Sequence, residues 1–409
     1  MPGRPSRQLA PLGVAGFRLL FFSTLASSFG TLLAAVALAI DVKDRTNSGL
    51  WVGGVLLVEF LPAIGVGLTL GPLLDRLERR KLMIAADLLR AAVFAALPFA
   101  TSAGEIVALA LVAGLATGFF RPAVYAGVPN LVSEDMLGPA NALLQTIENL
   151  SWAAGPIIGG VLTAAAGPDA AYWINAVSFL VSAFFVFKIP ARLLQSTTAL
   201  SRGHWTDLKD GFATVLRSRP LLAVLIGWGL ALSGSGAIGV SEVFMAKDTL
   251  HGGDFGYGLI YGATGVGLVV GSFWSSSIVD RLGIARTYGG ALLLMGGGFV
   301  VGAASVDIWM AAACCVVAGV GNGIAVVCNA LLVQRTRDDV RGRALTFVMS
   351  ATWAGMGVAI VVTGALMSPT DSRWVWAIGA VLIGLAAAVG YTLAREPAPA
   401  AAPLEAPAN

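Results

Sequence analysis

The sequence predicts an all-α, polytopic membrane protein with twelve transmembrane helices in two pseudo-symmetric six-helix halves. Three observations carry this expectation. Of 409 residues, 57% are hydrophobic and only 12% charged, and the mean hydropathy is +0.81; soluble domains carry about 25% charged residues. Apolar runs of about 20 residues, enough for a helix to span a hydrocarbon core of about 30 Å, recur along the whole chain. Short motifs also recur at one spacing. Asp75-Arg76-Leu77 returns as Asp280-Arg281-Leu282, 205 residues later, and Asp135-Met136-Leu137-Gly138-Pro139-Ala140 returns as Asp339-Val340-Arg341-Gly342-Arg343-Ala344, 204 residues later. Two matches at nearly one spacing imply a six-helix unit duplicated in parallel, with a site where the copies meet.

The first half, 1–189, holds spans at 18–40, 50–73, 82–100, 106–128, 141–165 and 171–189. The first follows Arg4 and Arg7 but is too long for a cleaved signal, and many spans follow it. A polar linker at 190–219 comes next. Its stretch 205–217 places Trp205, Leu208, Phe212, Val215 and Leu216 on one helical face, either as a membrane-surface helix coupling the halves or as a tether that must rest on something apolar. The second half, 220–394, holds spans at 221–245, 255–279, 284–304, 308–333, 344–367 and 374–393. The Pro- and Ala-rich tail, 395–409, is expected to be disordered.

Charge sets the orientation. With the N-terminus inside, 20 of the 26 Lys and Arg fall in cytoplasmic segments and helix ends, Lys43, Arg45, Lys247 and Arg373 fall outside, and Arg90 and Arg121 lie within spans. This bias places both termini in the cytoplasm. An Ala- and Gly-rich chain in which Arg far outnumbers Lys suggests a bacterial cytoplasmic (inner) membrane.

The same composition excludes other classes. The net charge of +3 is accounted for by loops on one side of the membrane, so no nucleic-acid partner is expected. Cys314, Cys315 and Cys328 share one apolar run, and His204 and His251 fall in loops on opposite sides. No metal site, cofactor or nucleophile–base set follows from that, and an enzyme is not expected.

Three motifs carry a resemblance. Gly71-x-x-x-Asp75-Arg76-x-x-Arg79-Arg80, between spans two and three, resembles the signature loop of the major facilitator superfamily. Gly155-Pro156-x-x-Gly159-Gly160 in span five resembles that superfamily's antiporter motif. Gln334-x(6)-Arg341-Gly342-Arg343 resembles the branch that contains macrolide-efflux proteins and the enterobactin exporter. The resemblance implies a secondary transporter, acting as a monomer, that exports small amphiphilic compounds by alternating access. A proton gradient is the implied energy source, since no Walker A motif is present. Siderophore export, lipid transport and uptake remain alternatives within the superfamily, and a non-transporting sensor a remote one. The resemblance further implies that Gly71, Asp75 and Arg79, with Arg76 and Arg80 beside them and Asp280 and Arg281 in the repeat, form a clasp that stabilises the outward-open state. It also implies that the bend at Pro156 seals the outer side. Two departures matter. Glu78 stands where the signature loop has a second Gly, so this loop is expected to turn differently, whereas Gly283 keeps that Gly in the second half. Gly30 is followed by Thr31, where many relatives carry an acid.

Charges inside the spans point to the chemistry. Each costs roughly 2.5–3.5 kcal/mol near the bilayer centre and so needs a partner or water. Asp87 and Arg90, three apart on one helix, read as a local pair with a snorkelling Arg. Arg121 and Glu148 sit at similar depth on consecutive antiparallel spans and are expected to meet, either as a proton or cation site or as a permanent structural pair. Glu59, without an evident partner, is a second proton or cation candidate; Glu242 falls near the outer end of span seven. Phe29, Phe120, Trp228 and Trp353 are candidate cavity walls, and Asn149 and Asn322 candidate polar points, with core packing the competing reading for each.

Overall fold

The computed structural model describes residues 8–69, 78–194, 215–216, 218–335, 338–367 and 372–395. Among these residues every regular element is helical. The long helices are α1 (Ala15–Thr46), α2 (Gly49–Thr69), α3 (Arg79–Ala96), α4 (Ala103–Leu131), α5 (Leu137–Ala166) and α6 (Pro168–Lys188), then α7 (Arg219–Thr249), α8 (Gly253–Leu282), α9 (Ile284–Ala303), α10 (Ile308–Gln334), α11 (Asp338–Leu366) and α12 (Ser372–Ala394). Among the described residues, ten helices are long and apolar enough to cross a membrane. The helix α5 is as long, at 30 residues, but Asn141, Gln145, Glu148 and Asn149 dilute its apolarity. Gly71, Asp75, Arg76, most of the linker and the tail lie outside the described residues.

The helices overrun the expected spans by a few residues at most ends, because leaving the hydrocarbon does not itself end a helix. Their ends have local causes. Ser102 caps α4 by accepting from the Glu105 amide at 3.3 Å, and Asp307 caps α10 by accepting from the Met310 amide at 2.8 Å. Gly283, at φ +76°, forms the one-residue turn between α8 and α9, a backbone position that disfavours any side chain. Glu78, at φ −68°, takes the extended conformation of an N-cap instead; the loop before it, where a different turn was expected, lies outside the described residues. Two π-helical stretches, Ala223–Trp228 and Met245–Thr249, interrupt α7; nothing in its sequence announces them.

The helix contacts repeat. In the first six helices, α1 packs on α5 and α6, α3 on α4 and α6, and α2 on α4. The same pairs recur six helices later, α7 on α11 and α12, α9 on α10 and α12, and α8 on α10. The two sets meet where α5 packs on α8 and α2 on α11. Below, the end carrying the α1–α2 and α7–α8 turns is called distal, and the end carrying the α8–α9 turn and the starts of α1 and α3 terminal. One hydrophobic cluster runs continuously from Leu33–Val42 of α1 to Val240–Ala246 of α7 at the distal end. A second, built from Phe17, Leu20, Met83, Phe120, Leu144 and Val186 among others, belongs to the terminal half of the first six helices alone. Large apolar side chains such as Phe184 and Phe187 of α6, Leu293 of α9 and Leu385 of α12 are exposed, an outer surface suited to lipid.

Candidate functional site

The helices α4 and α5 run antiparallel, so a residue counted back from the end of one meets a residue counted forward from the start of the other. Arg121 lies ten residues before Leu131 and Glu148 eleven after Leu137, about 15 Å from the terminal ends at 1.5 Å per residue. The structure brings them together: Arg121 Nη2 donates to Glu148 Oε2 at 2.8 Å. Tyr125, one turn beyond Arg121, donates its hydroxyl to Glu148 Oε1 at 3.0 Å, a contact the sequence reading did not include. The Arg121 side chain is 60% exposed and that of Glu148 15%. The guanidinium thus has a charged partner inside an otherwise apolar helix and still presents an open face. Asn149 stands next to Glu148, its Oδ1 accepting from Gln145 at 3.2 Å, so both helices present polar groups here.

Glu59 is half-buried on α2, with no ion pair among the described residues. Glu242 is 5% exposed and likewise unpaired there. It lies two turns inside α7, because that helix continues to Thr249, past the expected end of its span. Tyr257 and Tyr261 of α8 sit in the electrostatic field of both carboxylates. Trp152 of α5 packs on the Tyr261 ring at 5.8 Å, and the Tyr257 ring lies 6.0 Å from that of Tyr261. Two acids from different six-helix sets, with three aromatic rings between α5 and α8, make a second candidate locus. Sequence reasoning placed Glu242 near the outer end of span seven without making it a site candidate, and did not include Tyr257 or Trp152.

Other expected wall residues divide. Phe29, Asn322 and Trp353 are half-buried, so they can reach a cavity edge. Phe120 and Trp228 are core residues at 3% and 8% exposure, which removes them from the wall in this conformation. Phe120 instead covers Arg90, whose guanidinium lies 4.4 Å from the Phe120 ring and 4.3 Å from that of Phe179. Arg90 therefore does not snorkel. It pairs with Asp87, both within 3% of full burial, and Asp87 accepts a further hydrogen bond from Ser182 at 2.7 Å.

The Gly-Pro motif of α5 is a two-sided contact. A methyl on Gly159 would come within 2.3 Å of the Leu33 carbonyl oxygen of α1, and one on Gly160 within 2.8 Å of Gly258 Cα of α8. Gly155 faces Leu32, and the Pro156 carbonyl faces Gly258. The counterpart crossing of α2 and α11 is as close, with Gly364 against the Gly49 carbonyl. Both crossings lie toward the distal end.

A crosswise pair of ion bridges lies beside them. Lys43 Nζ donates to Asp248 Oδ1 at 2.6 Å, and Lys247 Nζ donates to Asp44 Oδ2 at 2.7 Å and also to Asp254. Lys43-Asp44 and Lys247-Asp248 are the same dipeptide 204 residues apart, the spacing of the internal repeat. Each lysine thus reaches the aspartate of the other copy.

Of the signature-loop candidates, Arg79 donates to the carbonyls of Ala126 and Leu194 at 3.2 and 3.1 Å, and Arg80 to that of Phe187, all within the first six helices and the segment that follows. Asp280 and Arg281 are exposed in the last turn of α8.

The family described as transmembrane secretion effector matches residues 6–406. Among curated relatives, the multidrug efflux pump Tap of Mycolicibacterium fortuitum is 24% identical over 362 residues, covering 85% of this chain and 88% of the relative. Macrolide efflux protein A of Streptococcus pyogenes is 22% identical over 403 residues, covering 90% and 95%. Among solved structures, a bacterial homologue of the iron transporter ferroportin in an inward-facing state superposes with a TM-score of 0.75 at 15% identity, covering 93% of this chain and 98% of that one, a likeness of fold.

Proposed function

The chain belongs to the transmembrane secretion effector family of major facilitator transporters, and from that premise we propose that it exports small amphiphilic compounds in exchange for protons. It is a multi-pass membrane transporter and not an enzyme. The observation that carries the proposal is the intramembrane Glu148 bridged to the exposed Arg121 and to Tyr125. A carboxylate inside the membrane holds either a proton or a positive partner, and a proton that enters releases the partner. That mutual exclusion is what an antiporter needs. The efflux relatives support the direction of transport and the substrate class.

All twelve long helices cross the membrane in this reading, with the terminal end cytoplasmic. The contact pairs that recur six helices apart support two six-helix halves joined by the linker. The glycine crossings and the crossed Lys–Asp bridges close the periplasmic side in this conformation, while the separate first-half core leaves the cytoplasmic side to part. Substrate enters from the cytoplasm. The signature-loop clasp would hold the opposite state, with Arg79 leaving its present carbonyl partners. The acid pair Glu59 and Glu242, beside Trp152, Tyr257 and Tyr261, is a second locus for a cationic, aromatic-bearing substrate.

Acidified inside-out vesicles provide the test. Macrolides, tetracyclines and lipophilic cations are added, and proton release from the lumen is followed with a pH-sensitive dye. Release is expected with some compounds and is expected to fall to background in Glu148→Gln. Loss in Glu59→Gln with Glu148→Gln active would move the coupling to the second locus. A folded, inserted protein giving no release with any compound would defeat the exchange and favour siderophore, lipid or uptake activity.

A further inference from the structure

At the terminal end, the α8–α9 turn and the ends of α10 and α12 line an open cavity of about 340 Å³ that shares no residue with the candidate sites above. Arg286, Arg335 and Arg395 line it together with Tyr391, and none of the lining residues is acidic. The Arg395 guanidinium stands over the Tyr391 ring at 5.7 Å, and both line the cavity. The wall opposite is the start of α9. Its N-cap, Gly283, offers no capping side chain, so the amides of the first turn add donors for a negative group. Arg286 and Arg395 and a helix start, with no carboxylate among the described lining residues, form a receptor for a phosphate ester.

The surroundings select the kind of phosphate. Leu282 lines the cavity and is 52% exposed, and Leu293 and Leu385, two to three turns further along α9 and α12, are 61% and 55% exposed. A basic pocket at a helix end, above an apolar lipid-facing surface, has the layout of an anionic headgroup with its acyl chains below it. A soluble phosphate would make no use of that apolar flank. We propose that this cavity binds the phosphate of an anionic phospholipid from the leaflet at the terminal end, one lipid per chain.

The test needs no transport assay, so it stands or falls separately from the efflux reading. Full-length protein is extracted from membranes holding equal phosphatidylglycerol and phosphatidylcholine, and retained lipid is counted by native mass spectrometry. Preferential retention of one phosphatidylglycerol is expected. In Arg286→Gln/Arg395→Gln that retention is expected to fall roughly tenfold, while the lysine counterparts at both positions keep part of it. Arg192→Gln, which removes an exposed charge elsewhere at the same end, is expected to leave it unchanged. Equal retention of the two lipids by the unaltered protein would overturn the proposal, and this arm decides the matter if the double variant does not fold. So would an equal loss in Arg192→Gln, which would mean general charge attraction only. In neutral detergent, millimolar inorganic phosphate is expected to leave the melting temperature unchanged. Stabilisation by phosphate without any lipid preference would reassign the cavity to a soluble ligand.

Discussion

Arg90 and Asp87 show how far a single residue's role depends on its neighbours. The sequence places them three apart near a helix end, where a long side chain is expected to reach for water. Instead Phe120 and Phe179 enclose the guanidinium, and Ser182 holds the carboxylate. A buried pair broken on one side leaves an uncompensated charge, at a cost of about 3–5 kcal/mol, whereas replacing both partners with apolar residues costs far less. Arg90→Met is therefore expected to melt well below the unaltered protein in detergent, and Asp87→Leu/Arg90→Met above the single variant; the reverse order would show that the pair is not a structural unit. Glu148 is the contrasting case. Its partners are legible because depth can be counted along consecutive helices, and its partner Arg121 is exposed rather than enclosed, so its substitution is expected to remove function and spare the fold.

Among the elements, α5 joins the most functions. Its start carries the polar groups around Glu148, and its Gly-Pro stretch meets α1 on one side and α8 on the other. At Gly160 the neighbour is backbone, Gly258 Cα at 2.8 Å from an added methyl, so nothing flexible can yield. Gly160→Val is expected to push α8 away, loosen the distal closure and lower transport by an order of magnitude or more, read as efflux rate at matched expression; an unchanged rate would mean that the crossing is not needed. Gly138→Ala, in the same helix with open space around it, is expected to be neutral or slightly stabilising, since alanine favours helix over glycine by about 1 kcal/mol.

At the scale of the whole molecule, α1 and α7 are joined by a symmetric exchange of charge. The lysine side chains are 11% and 14% exposed in the crossed bridges, so salt screens them less than a surface pair. Lys43→Gln/Lys247→Gln is expected to shift the population toward an open distal end. Spin labels at Ser102 and Val306, in distal turns of the two halves, would report this as a longer distance, and restoration by the exchange Lys43→Asp/Asp248→Lys would confirm the pairing. An unchanged distance in the double variant would leave closure to the glycine crossings alone.

What the sequence by itself determined is whatever is linear. Apolar run length set the membrane class, charge bias suggested the orientation, and the spacing of repeated motifs suggested a duplication. Even the Arg121–Glu148 contact belongs here, since both residues could be counted from one short turn. The tertiary structure decided what depends on azimuth. Each residue turns about 100° around a helix axis, so a residue's depth is countable while the face it presents is set by helices distant in sequence. That is why Phe120 and Trp228 proved to be core, why the Arg90 guanidinium is enclosed instead of reaching for water, and why the two Lys-Asp dipeptides were seen to pair crosswise only in three dimensions.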